Sequence, residues 1–337
     1  MVGDSEGRYR IGFLLVPEFS MIAFTSAVEV VRLTNRVMRQ PAYAWSTLSA
    51  DGERVTASNG IELHADGRIM ETSEFDAVVV CAGLHVQDHE ERSVLAWLRR
   101  RSAHGAAVGA LCTGTHILAR AGLLNGYSCT IHWENIPAFV EAFPDIDITS
   151  DLFAIDRNRF TCAGGTAALD MMLNLVSQHH GAETAAAVSD ELIHHRIRDP
   201  GEGQRMDLRS RSGIAHPKLL AVMATMEENI ENPLNCGELA TRVGLSTRQL
   251  ERLFRTYLAT PPTRYYLKMR LERARFLLRQ TSLPIFDVAL AAGFVSASHF
   301  SKCYREYFGA PPSGERRRQP AEQPQPSEQD ADIAAQA

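Results

Sequence analysis

Two stretches of this chain carry side chains whose types and spacing can do chemistry. In AAVGALCTGTHILARAGLL an apolar run leads into Cys112, then a turn of small residues, then an amphipathic stretch, the pattern of a nucleophile elbow. A side chain at such a turn stands beside exposed backbone amides and the positive end of a helix dipole, which favours a thiolate or a bound anion. His132, in TIHWEN, closes the next strand-like run and is placed to meet Cys112. A lone Cys and His are more often a buried thiol and a packed imidazole. The elbow and the strand-end position tip the balance toward a site.

The second stretch is GELATRVGLSTRQLERLFRTYLATPP, which recurs as FDVALAAGFVSASHFSKCYREYFGAPP. Gly244 matches Gly293, Leu250 matches Phe300, Phe254 matches Tyr304 and Pro262 matches Pro312, with one residue inserted in the second turn. Each copy reads as a short helix, a turn opened by Gly at positive φ, and a second helix: a helix-turn-helix. In the first copy Leu250, Leu253, Phe254 and Tyr257 fall on one face and are expected to pack inward. Arg248, Arg252 and Arg255 line the opposite face, and Ser298, Lys302 and Arg305 take the same places in the second copy. Such a helix enters a major groove, where Arg reads guanine edges and Lys or Ser holds phosphates. Most charge stripes are merely solvated faces, but here the stripe is duplicated. The full set of expected DNA contacts is Thr247, Arg248, Gln249, Arg252 and Arg255 in one copy and Ser296, Ser298, His299, Lys302 and Arg305 in the other.

The elements that must position these groups follow from the apolar pattern. Strands are expected at 11–16, 44–48, 77–81, 106–111 and 129–132, alternating with helices at 21–36, 92–104, 115–121 and 135–143, as in an α/β sheet. A hairpin at 156–158 precedes helices at 166–180 and 182–198. DPGEGQRMDLRSRSG, residues 199–213, lacks an apolar period and reads as a linker. Residues 214–318 are helical throughout, and the Pro-, Gln- and acid-rich 319–337 read as a disordered tail.

Charge supports this division. The 337 residues carry a net charge of −5, yet residues 1–212 hold 19 Lys and Arg against 27 Asp and Glu, and residues 213–318 hold 16 against 9. A basic module fused to an acidic one implies that only the second half meets a polyanion. No apolar run approaches membrane length and the N-terminus lacks a signal peptide's apolar middle, so a cytoplasmic protein away from membranes is expected. Six widely scattered cysteines without CxxC pairs read as reduced thiols, and neither metal nor cofactor is expected.

On these residues the second half resembles the DNA-binding domain of the AraC/XylS regulators, with GFVSASHFSKCYREYFGAPP as the family's signature and Pro262 to Gln280 as the joining helix. The first half resembles the PfpI branch of the class I glutamine amidotransferase-like fold, and the whole chain is similar to GlxA-type regulators. The implied architecture is an amidotransferase-like parallel-sheet sandwich over 9–198 followed by an all-α double helix-turn-helix domain over 214–318. In enzymes of that branch an elbow Cys, a His on the following strand and an acid from the first helix form the site. Cys112 and His132 match, but Ala23 stands at the acid's position. That departure implies a sensor whose former active site binds a ligand. The alternative is a Cys112-dependent amidase or glyoxalase-like enzyme with an appended DNA-binding domain, and a DNA-bridging structural protein ranks third.

Segments such as GFLLVPEFSMIAFTSAVEVVRLTN and CTGTHILARAGLLNGYSCTIHWENI are similar to the regulators of glycine betaine, dimethylglycine and carnitine catabolism. This resemblance implies a small zwitterionic amine as ligand. Amides of Gly83, Leu84 and Thr113 beside Cys112 suit its carboxylate, and Trp133 with Phe19 or Phe24, helped by Glu134, suits its ammonium. For Phe24 core packing is an equal reading. The expected partners are promoter DNA, the amine, RNA polymerase and a second copy of the chain, in a regulator that activates.

Overall fold

The computed structural model describes residues 7–71, 74–89, 91–205, 208–281 and 283–315, and the tail at 319–337 lies outside them. The chain divides into two compact units after residue 206.

The first unit runs β1 (Tyr9–Leu15), α1 (Met21–Met38), β2 (Tyr43–Ser49), β3 (Arg54–Thr56), β4 (Glu62–His64), β5 (Gly67–Arg68), β6 (Ala77–Cys81), α2 (Arg92–Ala103), β7 (Ala107–Leu111), α3 (Gly114–Arg120), β8 (Ser128–Thr130), α4 (Ile136–Ala142), β9 (Asp147–Thr149), β10 (Phe153–Asp156), β11 (Arg159–Cys162), α5 (Ala167–His180) and α6 (Ala182–Glu191). Seven strands form one sheet in the order β10-β11-β7-β6-β1-β2-β5, parallel except for the edge strand β10. β6 is AVVVC, buried at every residue, because a central parallel strand is covered on both faces. Alternate residues divide between the faces: Phe13, Leu15, Val79 and Cys81 pack under α1, α5 and α6, and Leu14, Val78, Val80 and Ala110 pack under α2 and α3.

Three expectations change. The strand expected at 129–132 does not join the sheet: β8 pairs with β9 in a separate two-stranded ribbon. The helix expected to reach Arg198 stops at Glu191, with Ile193 left-handed at φ 55°. The cause is Asp170, fully buried on α5, which draws His194 Nε2 to 2.9 Å, the Arg198 amide to 2.8 Å and Arg198 Nε to 2.9 Å. A buried carboxylate needs such partners, and they pull the chain out of helical register.

The expected linker at 199–213 also resolves differently. Leu152 donates to the carbonyls of Pro200 and Glu202, Asp151 bridges Gly203, and Gln204 Nε2 lies 2.9 Å from Thr130 Oγ1, Ile131 O and Asp151 O. Residues 199–205 are thus fastened to the first unit by backbone and amide bonds, which require no apolar period.

The second unit comprises α7 (Leu208–Ser212), α8 (Pro217–Glu228), α9 (Cys236–Arg242), α10 (Thr247–Leu258), α11 (Pro262–Gln280), α12 (Ile285–Ala291), α13 (Ala297–Phe308) and α14 (Pro312–Glu315). α9 with α10, and α12 with α13, are the two helix-turn-helix copies, and Gly244 and Gly293 adopt φ of 63° and 75° at their turns. Leu239, Leu250, Phe254 and Tyr266 join α8 residues in one core. α11 grips the second copy through Arg270, whose Nε reaches Ala292 O at 2.9 Å and whose Nη2 reaches Gly293 O at 2.6 Å. No described helix is long and apolar enough to cross a membrane.

Candidate functional site

In the sheet, the chain leaves β1 for β2 on one side and returns to β6 on the other. Beyond the carboxyl ends of the strands at such a reversal is where α/β sheets bind ligands. Cys112 follows β7 there, in a left-handed conformation with φ 59°. The elbow requires glycine around it: a Cβ on Gly114 would collide with the Val80 carbonyl, and one on Gly164 would stand 2.6 Å from Cys112 Cβ. Thr113 opens α3 and donates its hydroxyl to Gly83 O at 2.7 Å, joining the elbow to the loop after β6. Cys112 is buried, and desolvation first, then the neighbouring Cys162, pushes its thiol up to about 12 against a pull from the Thr113 amide. The thiolate expected from the elbow pattern is therefore not what this burial supports.

His132 sits beyond β8 with Nδ1 3.8 Å from Glu134 Oε2; burial lowers its pKa, and Glu134 opposes that shift. Among the described residues no hydrogen bond joins it to Cys112. Ala23 is fully buried on α1. The loop after β1 holds an acid whose partner sequence spacing did not reveal. Glu18 (φ 61°) and His85 (φ 48°) are both left-handed, and His85 Nδ1 lies 2.7 Å from Glu18 Oε2. They are 67 positions apart, and the bonds between the loops after β1 and β6, among them the pairing of Phe19 with Gly83 and the Leu84 amide on Glu18 O, bring them together.

Several expected ligand groups are engaged elsewhere. The Leu84 amide donates to Glu18 O at 3.1 Å, so it cannot also hold a carboxylate. Phe19 and Phe24 are core residues packed edge to face at 5.7 Å, and Phe24 meets Phe13 likewise. Thr113 donates its hydroxyl to Gly83 O, and Glu134 faces His132. Trp133, beside His132, is 36% exposed, and the Arg205 guanidinium covers its ring with Cζ 4.3 Å from the centroid.

On the second unit Arg248, Arg252 and Arg255 are exposed along α10, as are Ser298, Lys302 and Arg305 along α13. Among the described residues Arg248, Arg252, Arg255 and Arg305 form no ion pair or ring contact, so their charge is available to a polyanion; Lys302 has only an exposed pair with Glu306 at 4.0 Å. Leu250 and Phe254 are buried as expected. Tyr257 is not: it is 48% exposed, against His216 with ring centroids 5.5 Å apart. Three expected contacts have local duties. Ser246 and Gln249 form a capping box that uses the Gln249 carbonyl oxygen, Ser296 caps α13, and His299 Nε2 meets Cys303 Sγ at 3.4 Å. Thr247 is exposed in the first turn of α10.

Comparison with known proteins agrees with both halves. The DJ-1/PfpI family model matches residues 10–178 and a helix-turn-helix domain model matches residues 239–318. The HTH-type transcriptional regulator GbdR of Pseudomonas aeruginosa is 49% identical, over 93% of this chain and 86% of its own length. CdhR of the same species, also an HTH-type transcriptional regulator, is 44% identical over 93% of both chains. The chain belongs to this family of HTH-type transcriptional regulators, with a DJ-1/PfpI domain ahead of an AraC-type DNA-binding domain. The crystal structure of an AraC family transcriptional regulator from Pseudomonas putida, 36% identical, covers 55% of this chain and 99% of its own, with a TM-score of 0.51. The chain is therefore a DNA-binding transcription regulator, with α10 and α13 in its helix-turn-helix domain and the elbow in its DJ-1/PfpI domain.

Proposed function

We propose that this regulator senses a small zwitterionic amine in the crevice around Cys112 and, on binding it, activates transcription from promoter DNA held by α10 and α13. The observation that carries the sensing reading is the state of the elbow. A buried thiol with its pKa near 12, no acid at Ala23 and no hydrogen bond from His132 is poorly set for nucleophilic chemistry. The Thr113 amide beside the thiol and the start of α3 follow directly on Cys112, and this reading seats the ligand's carboxylate there. Trp133 and Glu134 suit the ammonium end. The amine class, with glycine betaine, dimethylglycine and carnitine as members, follows from the resemblance of the elbow segments to regulators of their catabolism.

Within the second unit, Arg248 and Arg252 read base edges and Lys302 holds phosphate. The reading includes a homodimer acting in the cytoplasm with RNA polymerase, since paired half-sites favour a two-fold regulator. Thermal unfolding of the full chain with glycine betaine, dimethylglycine, carnitine and arginine tests the ligand class: a ligand at a hundred times its Kd adds about 2.7 kcal/mol. Recovery of the amine unchanged after incubation upholds the sensor. Its conversion, lost in Cys112→Ser, would replace the sensor with a cysteine enzyme.

A further inference from the structure

The two helix-turn-helix copies differ in length by one residue, and hydrogen bonds locate it. In the first copy the Leu245 amide donates to Ala240 O at 2.9 Å, and Ser246 follows directly as the cap of α10. In the second the Phe294 amide makes the matching bond, to Ala289 O at 2.8 Å, but the cap of α13 is Ser296. Val295 is therefore the extra residue, and both of its neighbours are fixed. Phe294 is buried against Phe300 and under the Arg270 guanidinium, whose Cζ lies 4.2 Å from its ring centroid. Ser296 Oγ accepts the His299 amide at 3.4 Å, and Ser296 O accepts the Phe300 amide at 2.9 Å. Val295 itself is 93% exposed, more than any other large apolar side chain among the described residues.

We propose that Val295 is a base-reading residue, whose methyl groups pack on the 5-methyl group of a thymine in the major groove at the start of α13. The proposal rests on the reading above that α13 lies in that groove. A single exposed apolar side chain ordinarily needs no explanation. This one is an insertion held between a core anchor and a helix cap, at the end of the helix that meets base edges in a helix-turn-helix. In the major groove the base edges present donors and acceptors, and the thymine methyl is the one apolar group among them. An exposed valine finds its match only there. The counterpart of Ser298 on α10 is Arg248, and nothing on the first copy corresponds to Val295. The first copy thus reaches base edges with a long cation that suits guanine, whereas the second offers a short hydroxyl and an apolar knob that suit an A·T pair. Because its neighbours are already fixed, Val295 is presented to the base without a further ordering cost.

The test uses the full chain on an operator selected from random DNA, with each thymine in turn replaced by deoxyuridine, which removes the methyl group and keeps the base pairing. At one thymine position the wild type should lose about threefold to fivefold in affinity, the worth of one buried methyl group. Val295→Ser should bind the unmodified operator more weakly by a similar factor and should be indifferent to the methyl at that position alone, while Val295→Ile should still feel it. Thermal melts of both variants should match the wild type, since the side chain is exposed. Lys302→Ala and Arg305→Ala, on the polar face of α13, report separately whether that helix meets DNA. If either weakens binding, but no thymine methyl is felt by the wild type and ignored by Val295→Ser, the valine contact is overturned and the α13 reading stands. If neither weakens binding, the α13 reading fails and the proposal fails with it. A Val295→Ser chain that binds every operator as the wild type does, yet activates a reporter less, would put the valine against a partner protein and overturn the base contact.

Discussion

Gly164 faces Cys112 so closely that a Cβ on it would stand 2.6 Å from Cys112 Cβ and 2.9 Å from its Sγ, while the Cys112 amide donates to Cys162 O at 3.0 Å. The elbow is thus held against the end of β11 by a contact only glycine permits, and Gly164 itself sits at φ 91°. Gly164→Ala combines a positive-φ penalty with an overpacked contact, a loss of about 2–4 kcal/mol. Denaturant unfolding of the variant checks this, and a loss below about 1 kcal/mol would mean that the elbow yields.

The buried thiols set an alkaline limit. Cys112 and Cys129 are pushed to about 12 and Cys162 to about 11, chiefly by burial, from an ordinary value of 9.0. A thiol with a raised folded pKa contributes stability that is whole below the unfolded value and drains away as pH climbs to the folded one. Stability should therefore fall between about pH 9 and 12, by at most about 1.4 kcal/mol per pH unit for each thiol. Cys112→Ala should remove one such contribution from the slope. Urea unfolding across this range is the measurement; an unchanged slope in the variant would show that Cys112 ionises in the folded chain.

On the proposed reading the exposed cations of α10 and α13 divide into readers and holders. Arg248→Ala and Arg252→Ala should each cost about 1–3 kcal/mol on a selected operator and much less on scrambled DNA. Lys302→Ala should weaken both alike and lower the salt slope by about 0.9. Footprinting on the two DNAs decides, and equal losses from the Arg variants on both would demote them to phosphate contacts.

The two copies end α10 and α13 differently. Ala259 and Gly309 occupy matching positions, and both are left-handed, at φ 50° and 75°. Only Ala259 has a Cβ to strain there. Ala259→Gly should stabilise the chain by about 1 kcal/mol and Gly309→Ala should destabilise it by a similar amount. Thermal melts of both variants check the pair; a destabilising Ala259→Gly would contradict it.

How far the sequence reached depends on whether a feature is local. The helix-turn-helix copies were legible because Gly244, Leu250 and Phe254 repeat as Gly293, Phe300 and Tyr304, and helical period places such residues without distant information. Tyr257 obeys that period and is still half exposed, since position on a helix face says nothing of how far the neighbouring core extends.

The elbow divides along the same line. Strand, Cys112, small turn and helix lie within some nineteen residues, so the turn and its glycines were visible at once. The thiol's protonation, the pairing of Glu18 with His85, the withdrawal of Phe19 and Phe24 into the core and the Arg205 cover on Trp133 were not. Each depends on segments far apart in sequence, brought together by the strand order and by hydrogen bonds to backbone that leave no apolar signature. The sequence by itself determined which elements form and where the chemistry-bearing residues stand along them, because both follow from short-range periodicity and turn geometry. Tertiary structure alone decided their protonation and their partners, because burial and long-range contact set the local dielectric and the competitors for each donor and ring.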